Sequence, residues 1–483
     1  VTPEPRHKTF TGSRQACFKT RVTPDAAMDS AQVPATRASL KTLLTLAWPI
    51  IISRASQTIV GLSDTLMVAH LGASALAAVA TGGLNAMTVL ILPMGITFIV
   101  QSFSSQLFGK GDLAGARRYG WYGLVVALFT FFLSLASLPA IDPVLDLLPY
   151  SDEVHALMAA YLRIRLLSVG PAIGIEALSN YYGGLGRTRP GMTANVVAMV
   201  LNVGANWLLI DGHLGFPALG VAGAAWASTA STLVAFAGFF AFFLWEAKPE
   251  TRARLKLDEF GRMLRFGLPS GFNWLFEFGA YVFFTNIVVA GLGTEVLAAM
   301  NSVMSINSAA FMPAFGLSSA GAILVGQAIG QSNKDEVPRV VRLTALTASA
   351  WMVSVGVVFF VGAGFLMGFF ADGPGAQDVL VIGTKMLMLS ALWQLFDAVG
   401  MSIAESLRGA GDTLFPMVAR IALAWVVFVP GSYYSVRVLG WGYLGAVTWL
   451  LIYLVLLAGI LFARFKAGSW RNIELVEGSM PAH

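Results

Sequence analysis

Four carboxylates stand inside long apolar runs of this sequence: Asp64 in SQTIVGLSDTLMVAH, Glu176 in GIEALSNYY, Glu277 in NWLFEFGAYVFF and Asp397 in LWQLFDAVGMS. An ionised side chain at the centre of an apolar membrane helix costs about 2.5–3.5 kcal/mol, so each of them needs a partner or a task. The chemistry open to an isolated acid in such surroundings is reversible neutralisation. A proton, a hard cation such as sodium, or a positively charged molecule each relieves the same cost, and whichever is present excludes the others. That competition is the simplest way to couple the movement of one to the movement of another.

The neighbouring residue types fit this chemistry. Gln57, Gly61 and Asp64 recur at i, i+4 and i+7 and share one helix face. Asn202 and Asn206, in MVLNVGANWLL, are one turn apart, and Ser228 lies in AAWAST. With Asp64 they form an all-oxygen set in the first half of the chain, a candidate sodium or proton site. Glu277 has Asn273 a turn before it and Tyr281 a turn after, and Asp397 has Trp393 a turn before. Glu277 and Asp397 make a second candidate cation site, and Gln57, Asn273, Tyr281, Trp393 and Glu176 are candidates for a substrate cleft. Arg54, Arg163 and Arg165 are further charges in the first half, and one of them pairs with Glu176 if that acid is structural. Lys385 snorkels outward from a span end, and Arg420 has the same standing as an intramembrane charge.

What positions these residues is a set of membrane helices. Of the 483 residues, 56% are hydrophobic and 12% charged, against about 25% charged in soluble domains. Apolar stretches of spanning length recur throughout, near 43–69, 75–101, 119–140, 155–180, 190–210, 218–246, 262–290, 296–325, 340–370, 377–404, 413–437 and 441–464. The loops alternate in charge. GKGDLAGARR, GRTRP, the long segment from Lys248 to Arg265, NKDEVPRVVR, RGAGD and ARFKAGSWR carry the Lys and Arg, and most intervening loops carry none. The positive-inside rule then places both termini in the cytoplasm. Net charge +5 is explained by these loops and implies no nucleic-acid partner.

A repeat runs through the chain. LAWP, HLGASALAAVA and LPMG in the first half are echoed by FGLP, GLGTEVLAAMN and MPAFG in the second. The separation from Pro49 to Pro93 equals that from Pro269 to Pro313. These prolines are expected to mark kinks or span ends. GGLGRTRP is echoed by RGAGDTLFP. The fold expected is an all-α polytopic membrane protein with twelve spans in two pseudo-symmetric six-helix lobes, a parallel repeat about the membrane normal. The divisions are a tail at 1–40, disordered in the cytoplasm; an N-lobe at 41–247; a cytoplasmic inter-lobe loop at 248–261; a C-lobe at 262–465; and a cytoplasmic tail at 466–483. The N-terminal tail shows no cleavable signal pattern. Cys17, the one cysteine, excludes an intrachain disulfide framework. There is no P-loop and no histidine metal spacing, so neither an ATP-driven engine nor an enzyme is indicated and no cofactor is expected.

Taken together, SQTIVGLSDTLMVAHLG, LNVGANWLLI, GVAGAAWAST, FEFGAYV, LWQLFDAVGMS and LRGAGDT resemble the multidrug and toxic compound extrusion (MATE) family, and the carboxylates most resemble its NorM-like branch. The resemblance spans about 40 to 465. It implies two lobes forming a V-shaped cleft, and export of cationic amphipathic compounds in exchange for sodium or protons. It implies cation coupling at Glu277 and Asp397 in the second lobe, and a polar site at Asp64, Asn202 and Asn206 in the first. Ser228 falls where threonine is frequent. Trp393 stands where a NorM-like protein carries tyrosine, and an indole N–H donates but does not ligate a cation. Glu176 has no counterpart in the family pattern. The expected setting is a bacterial inner membrane, with lipid contacts and a monomeric chain. The alternative is a lipid-linked saccharide flippase of similar architecture, which would line its cleft with cations such as Arg54, Arg163 and Arg165.

Overall fold

The computed structural model describes residues 39–148, 150–247, 254–370 and 375–476. Most of the expected N-terminal tail, with Cys17, part of the loop at 248–261, and the last seven residues lie outside the described residues. Among the described residues, twelve helices are long and apolar enough to cross a membrane. They are α1 (Leu40–Leu71), α2 (Ala73–Gly109), α3 (Leu113–Ala136), α4 (Asp152–Gly184), α5 (Arg189–Ile210) and α6 (Val221–Trp245), then α7 (Leu257–Leu292), α8 (Thr294–Gly330), α9 (Val337–Val361), α10 (Ala376–Ala410), α11 (Leu414–Arg437) and α12 (Gly442–Lys466). Ser39 caps α1, its hydroxyl accepting from the Thr42 amide at 3.2 Å, and Asp112 caps α3 by accepting from Gly115 at 2.6 Å.

The repeat reappears as geometry. The α1–α2 and α7–α8 turns pivot on Gly72 (φ 113°) and Gly293 (φ 121°), backbone conformations closed to other residues. Helices α2 and α8 are each 37 residues long. Between the halves, α1 packs on α8, α2 packs on α7, and α2 crosses α8, the exchange of partners that a two-fold axis requires. At the ends of α2 and α8 two glutamines cross reciprocally. Gln106 donates to the Gly409 carbonyl at 3.0 Å, and Gln327 donates to the Gly184 carbonyl at 3.0 Å.

The ends of two spans are corrected. The second and eighth spans run eight and five residues further than hydropathy indicates. The extra turns of α2, QSFSSQL, are polar for a membrane segment but buried against the other half. Several of their polar groups find partners there: Ser102 donates to the Arg408 carbonyl at 2.9 Å and Gln101 donates to the Ser319 hydroxyl at 3.1 Å. Pro49, Pro93, Pro269 and Pro313 lie inside helices rather than at their ends. The expected C-terminal tail begins with a packed strap, Ser469–Val476. Lys334 donates to the Arg471 carbonyl at 2.6 Å, Arg471 pairs with Asp335 at 3.0 Å, and Lys110 donates to the Val476 carbonyl at 3.3 Å. Leu475 is buried in the apolar core of the first half.

Candidate functional site

In the first half, α1, α5 and α6 bring four of the singled-out residues together. Asn202 and Asn206 project from one face of α5 toward α1, and each donates its amide to Asp64 Oδ1, at 2.9 and 2.7 Å. The Ser228 hydroxyl, from α6, donates to Asp64 Oδ2 and accepts from Asn202 at 2.9 Å. All four side chains are buried. Among the described residues Asp64 has no cationic partner. The whole charge is carried by neutral donors, a state that costs less than bare burial but leaves the charge uncompensated. Asn206 Oδ1 is buried with no hydrogen-bond partner. A carboxylate, that amide oxygen and a hydroxyl form a donor set that suits a hard cation, with no nitrogen or sulfur in it.

Glu176 is not a free acid in the cleft, as the sequence allowed. Arg54 clamps it with two bonds, 3.0 and 2.6 Å, and Asn180 adds a third at 3.2 Å. Arg54 also donates to Gln57 at 3.1 Å, and Gln57 donates to Asn195 at 3.1 Å. Arg163 pairs with Asp142 at 2.5 Å and Arg165 donates to Ser168 at 3.2 Å. Asn195 was missed by sequence reasoning, yet it lies at i−7 from Asn202 and continues the same polar face.

In the second half, Glu277 and Asp397 line one cavity of about 130 Å³, together with Asn273, Glu405, Arg408, Asp412 and Arg420. Glu277 departs from expectation. Arg420, from α11, donates to it at 2.5 Å, so its charge is already compensated. Glu405 pairs with Arg408 and Asp412 with Arg464. Asp397 has no ion-pair or hydrogen-bond partner among the described residues. Asn273 Oδ1, in the same cavity, has none either. Trp393 departs as well: it is 4% exposed, belongs to the apolar core and does not line this cavity. Tyr281 lines a second, apolar cavity of about 370 Å³, with Met87, Met94, Trp274, Phe278, Phe428 and Tyr453. Glu277 and Trp274 are walls of both cavities.

The family model described as MatE matches the chain twice, over residues 49–208 and 269–434. Together these stretches are more than half of the chain, and they begin at the repeated prolines. The chain belongs to the MATE family. MATE is a family of transporters rather than enzymes, and this member is a multi-pass membrane protein. A MATE relative from Deinococcus radiodurans, named "Probable multidrug resistance protein NorM", is 30% identical over 408 residues, covering 81% of this chain and 87% of that protein. One of the same name from Thermotoga maritima is 27% identical over 438 residues, covering 89% and 93%. A crystal structure of MATE in the bent conformation superposes with a TM-score of 0.82 at 23% identity, covering 92% of this chain and 99% of that one. A MOP superfamily transporter from Pyrococcus furiosus, described as having a binding pocket of reverse polarity that suggests a different function, superposes with a TM-score of 0.81 at 23% identity, covering 90% of this chain and 97% of that one.

Proposed function

We propose that this MATE chain is a secondary exporter of cationic amphipathic compounds, driven by the inward flow of sodium ions or protons. One observation carries the reading: each half holds one carboxylate with no ion-pair partner among the described residues, Asp64, buried, in the first and Asp397, partly buried in the wall of the acid-bearing cavity, in the second. The names of the NorM relatives support it. So does the pairing of a polar, acid-bearing cavity with an apolar one rich in Met and aromatic residues, since such side chains adapt to apolar bodies of differing shape. At Asp64 a sodium ion is held by the carboxylate, Ser228 Oγ and the side-chain oxygens of Asn202 and Asn206 once those amides turn. A proton on Asp64 relieves the same burial cost. At Asp397 the cation of the cargo and the coupling ion compete for one charge. The halves, 41–247 and 262–465, rock about the cleft between them. The loop at 248–261 and both tails face the cytoplasm, and the chain works as a monomer in a bacterial inner membrane.

The flippase reading needs free cations in the cleft. Arg54 and Arg163 are engaged by acids, which removes two of the three cations on which that reading rests; Arg165 donates to the neutral Ser168 hydroxyl. The test is ethidium accumulation in inverted vesicles carrying the protein, first with a sodium-loaded lumen and then with an acidified one. One of the two gradients drives accumulation, and both Asp64→Asn and Asp397→Asn abolish it. Accumulation under neither gradient refutes the proposal.

A further inference from the structure

The charges lining the second-half cavity add up unevenly. Four acids line it, Glu277, Asp397, Glu405 and Asp412. Three are taken by arginines: Glu277 by Arg420 at 2.5 Å, Glu405 by Arg408, and Asp412 by Arg464 at 2.8 Å. Asp397 alone is left over, and the charges that act on it are Arg420 and Glu277. Arg420 is therefore a cation fixed in the protein, standing where a mobile cation would otherwise neutralise Glu277.

The first half shows that this join does not need a charge. Gln57 precedes Glu277 by the same 220 residues that separate Pro49 from Pro269. Its amide meets Asn195 at 3.1 Å, five residues past Pro190, much as Arg420 meets Glu277 from four residues past Pro416. A neutral amide pair ties the two helices there, so the ion pair in the second half acts on the charge of the cavity as well as on its architecture.

We propose that Arg420 determines cargo charge: by holding Glu277 in an ion pair it leaves Asp397 as one uncompensated carboxylate, so the cavity takes compounds with one positive charge and rejects those with two. This rests on the reading of the protein as a cation exporter. A second positive charge entering beside Arg420 meets repulsion instead of a free acid. At a separation of about 5 Å and the effective dielectric of protein sites, that difference exceeds tenfold in affinity.

Ethidium and propidium share a phenanthridinium ring and carry one and two charges, so fluorescence titration of both on purified protein reads the selectivity directly. Wild type favours ethidium by tenfold or more. Arg420→Gln frees Glu277 and strengthens propidium binding at least tenfold, removing the preference. Arg420→Lys keeps it. The double variant Glu277→Gln with Arg420→Gln, which restores the charge balance without the pair, regains it. If Arg420→Gln does not fold, Glu277→Gln reads the same balance from the other side: it leaves Arg420 to offset Asp397, so the site loses its net negative charge and binds ethidium about tenfold more weakly. An unchanged ethidium-to-propidium ratio in folded Arg420→Gln, or identical behaviour of the single and double variants, overturns the proposal while leaving cation export intact. Failure of wild type to bind ethidium at all overturns the export reading and the selectivity with it.

Discussion

The crossing of α2 and α8 makes a prediction whose sign separates two physical effects. Gly330 and Gly109 end these helices, and each faces the other half. An ideal Cβ on Gly330 lies 2.0 Å from the Gln106 carbonyl oxygen, and one on Gly109 lies 2.3 Å from that of Gln327. A carbon rests against a carbonyl oxygen at about 3.3 Å, so Gly330→Ala forces the helix ends apart by roughly 1.3 Å. Overpacking of this kind costs about 1–3 kcal/mol. The bonds from Gln106 to Gly409 and from Gln327 to Gly184, both 3.0 Å, stretch past hydrogen-bond range and add about 0.5–1.5 kcal/mol each. Helix propensity acts the other way, favouring Ala over Gly by about 1 kcal/mol. The net effect is a crossing weakened by about 1–5 kcal/mol, and the mid-value of about 3 kcal/mol corresponds to more than tenfold in the open population. The readout is the maleimide-labelling rate of Ile323→Cys, a buried α8 position beside Gly183, in a Cys17→Ser background. Labelling speeds up by tenfold or more in Gly330→Ala. An unchanged rate together with a raised melting temperature means that propensity wins and the crossing is not tight.

Three further outcomes follow from the same contacts. Sodium at tenfold its dissociation constant raises the stability of wild type by about 1.4 kcal/mol, and Asp64→Asn, which removes the charge that Asn202, Asn206 and Ser228 surround, abolishes the shift in a thermal melt. If protons alone are the coupling ion, sodium protects neither protein. Glu176→Gln leaves the half-buried Arg54 without its acid and costs about 3 kcal/mol, seen as a fall in melting temperature, whereas Arg163→Gln, at an exposed pair, costs under about 1 kcal/mol. Leu475→Asp, which places a charge in the first-half core, detaches the strap and raises Ile323→Cys labelling in the same way as Gly330→Ala.

The twelve helices, the repeat and the shared face of Asn202 and Asn206 were legible because each is a matter of period: apolar runs of spanning length, prolines and glycines at constant offsets, amides one turn apart; joining them to Asp64 and Ser228 rested on residue type and on the family resemblance. Partnership across the fold was not. Nothing in the spacing of Glu277 and Arg420 says that α7 and α11 meet, or that Arg54 from α1 reaches Glu176 on α4 instead of leaving it to Arg163 or Arg165. Trp393 was placed by its position one turn from Asp397, but neighbouring turns of a packed helix point at different surroundings, and this one points into the core. The ends of α2 and α8 were cut short because hydropathy assumes a lipid neighbour, whereas Gln101, Ser102 and Gln106 face another helix that supplies their hydrogen-bond partners.

The strap at Ser469–Val476 follows all twelve helices in the chain and is made after them, and it joins Lys110 of the first half to Lys334 and Asp335 of the second. Until it folds, the two bundles are held at these helix ends by the α2–α8 crossing and its paired glutamine bonds. The strap adds a further fastening when this last stretch of chain folds back over the helix ends. A chain held short of the strap would keep its twelve helices yet lack this latch, a form of the molecule biased toward parting at these helix ends.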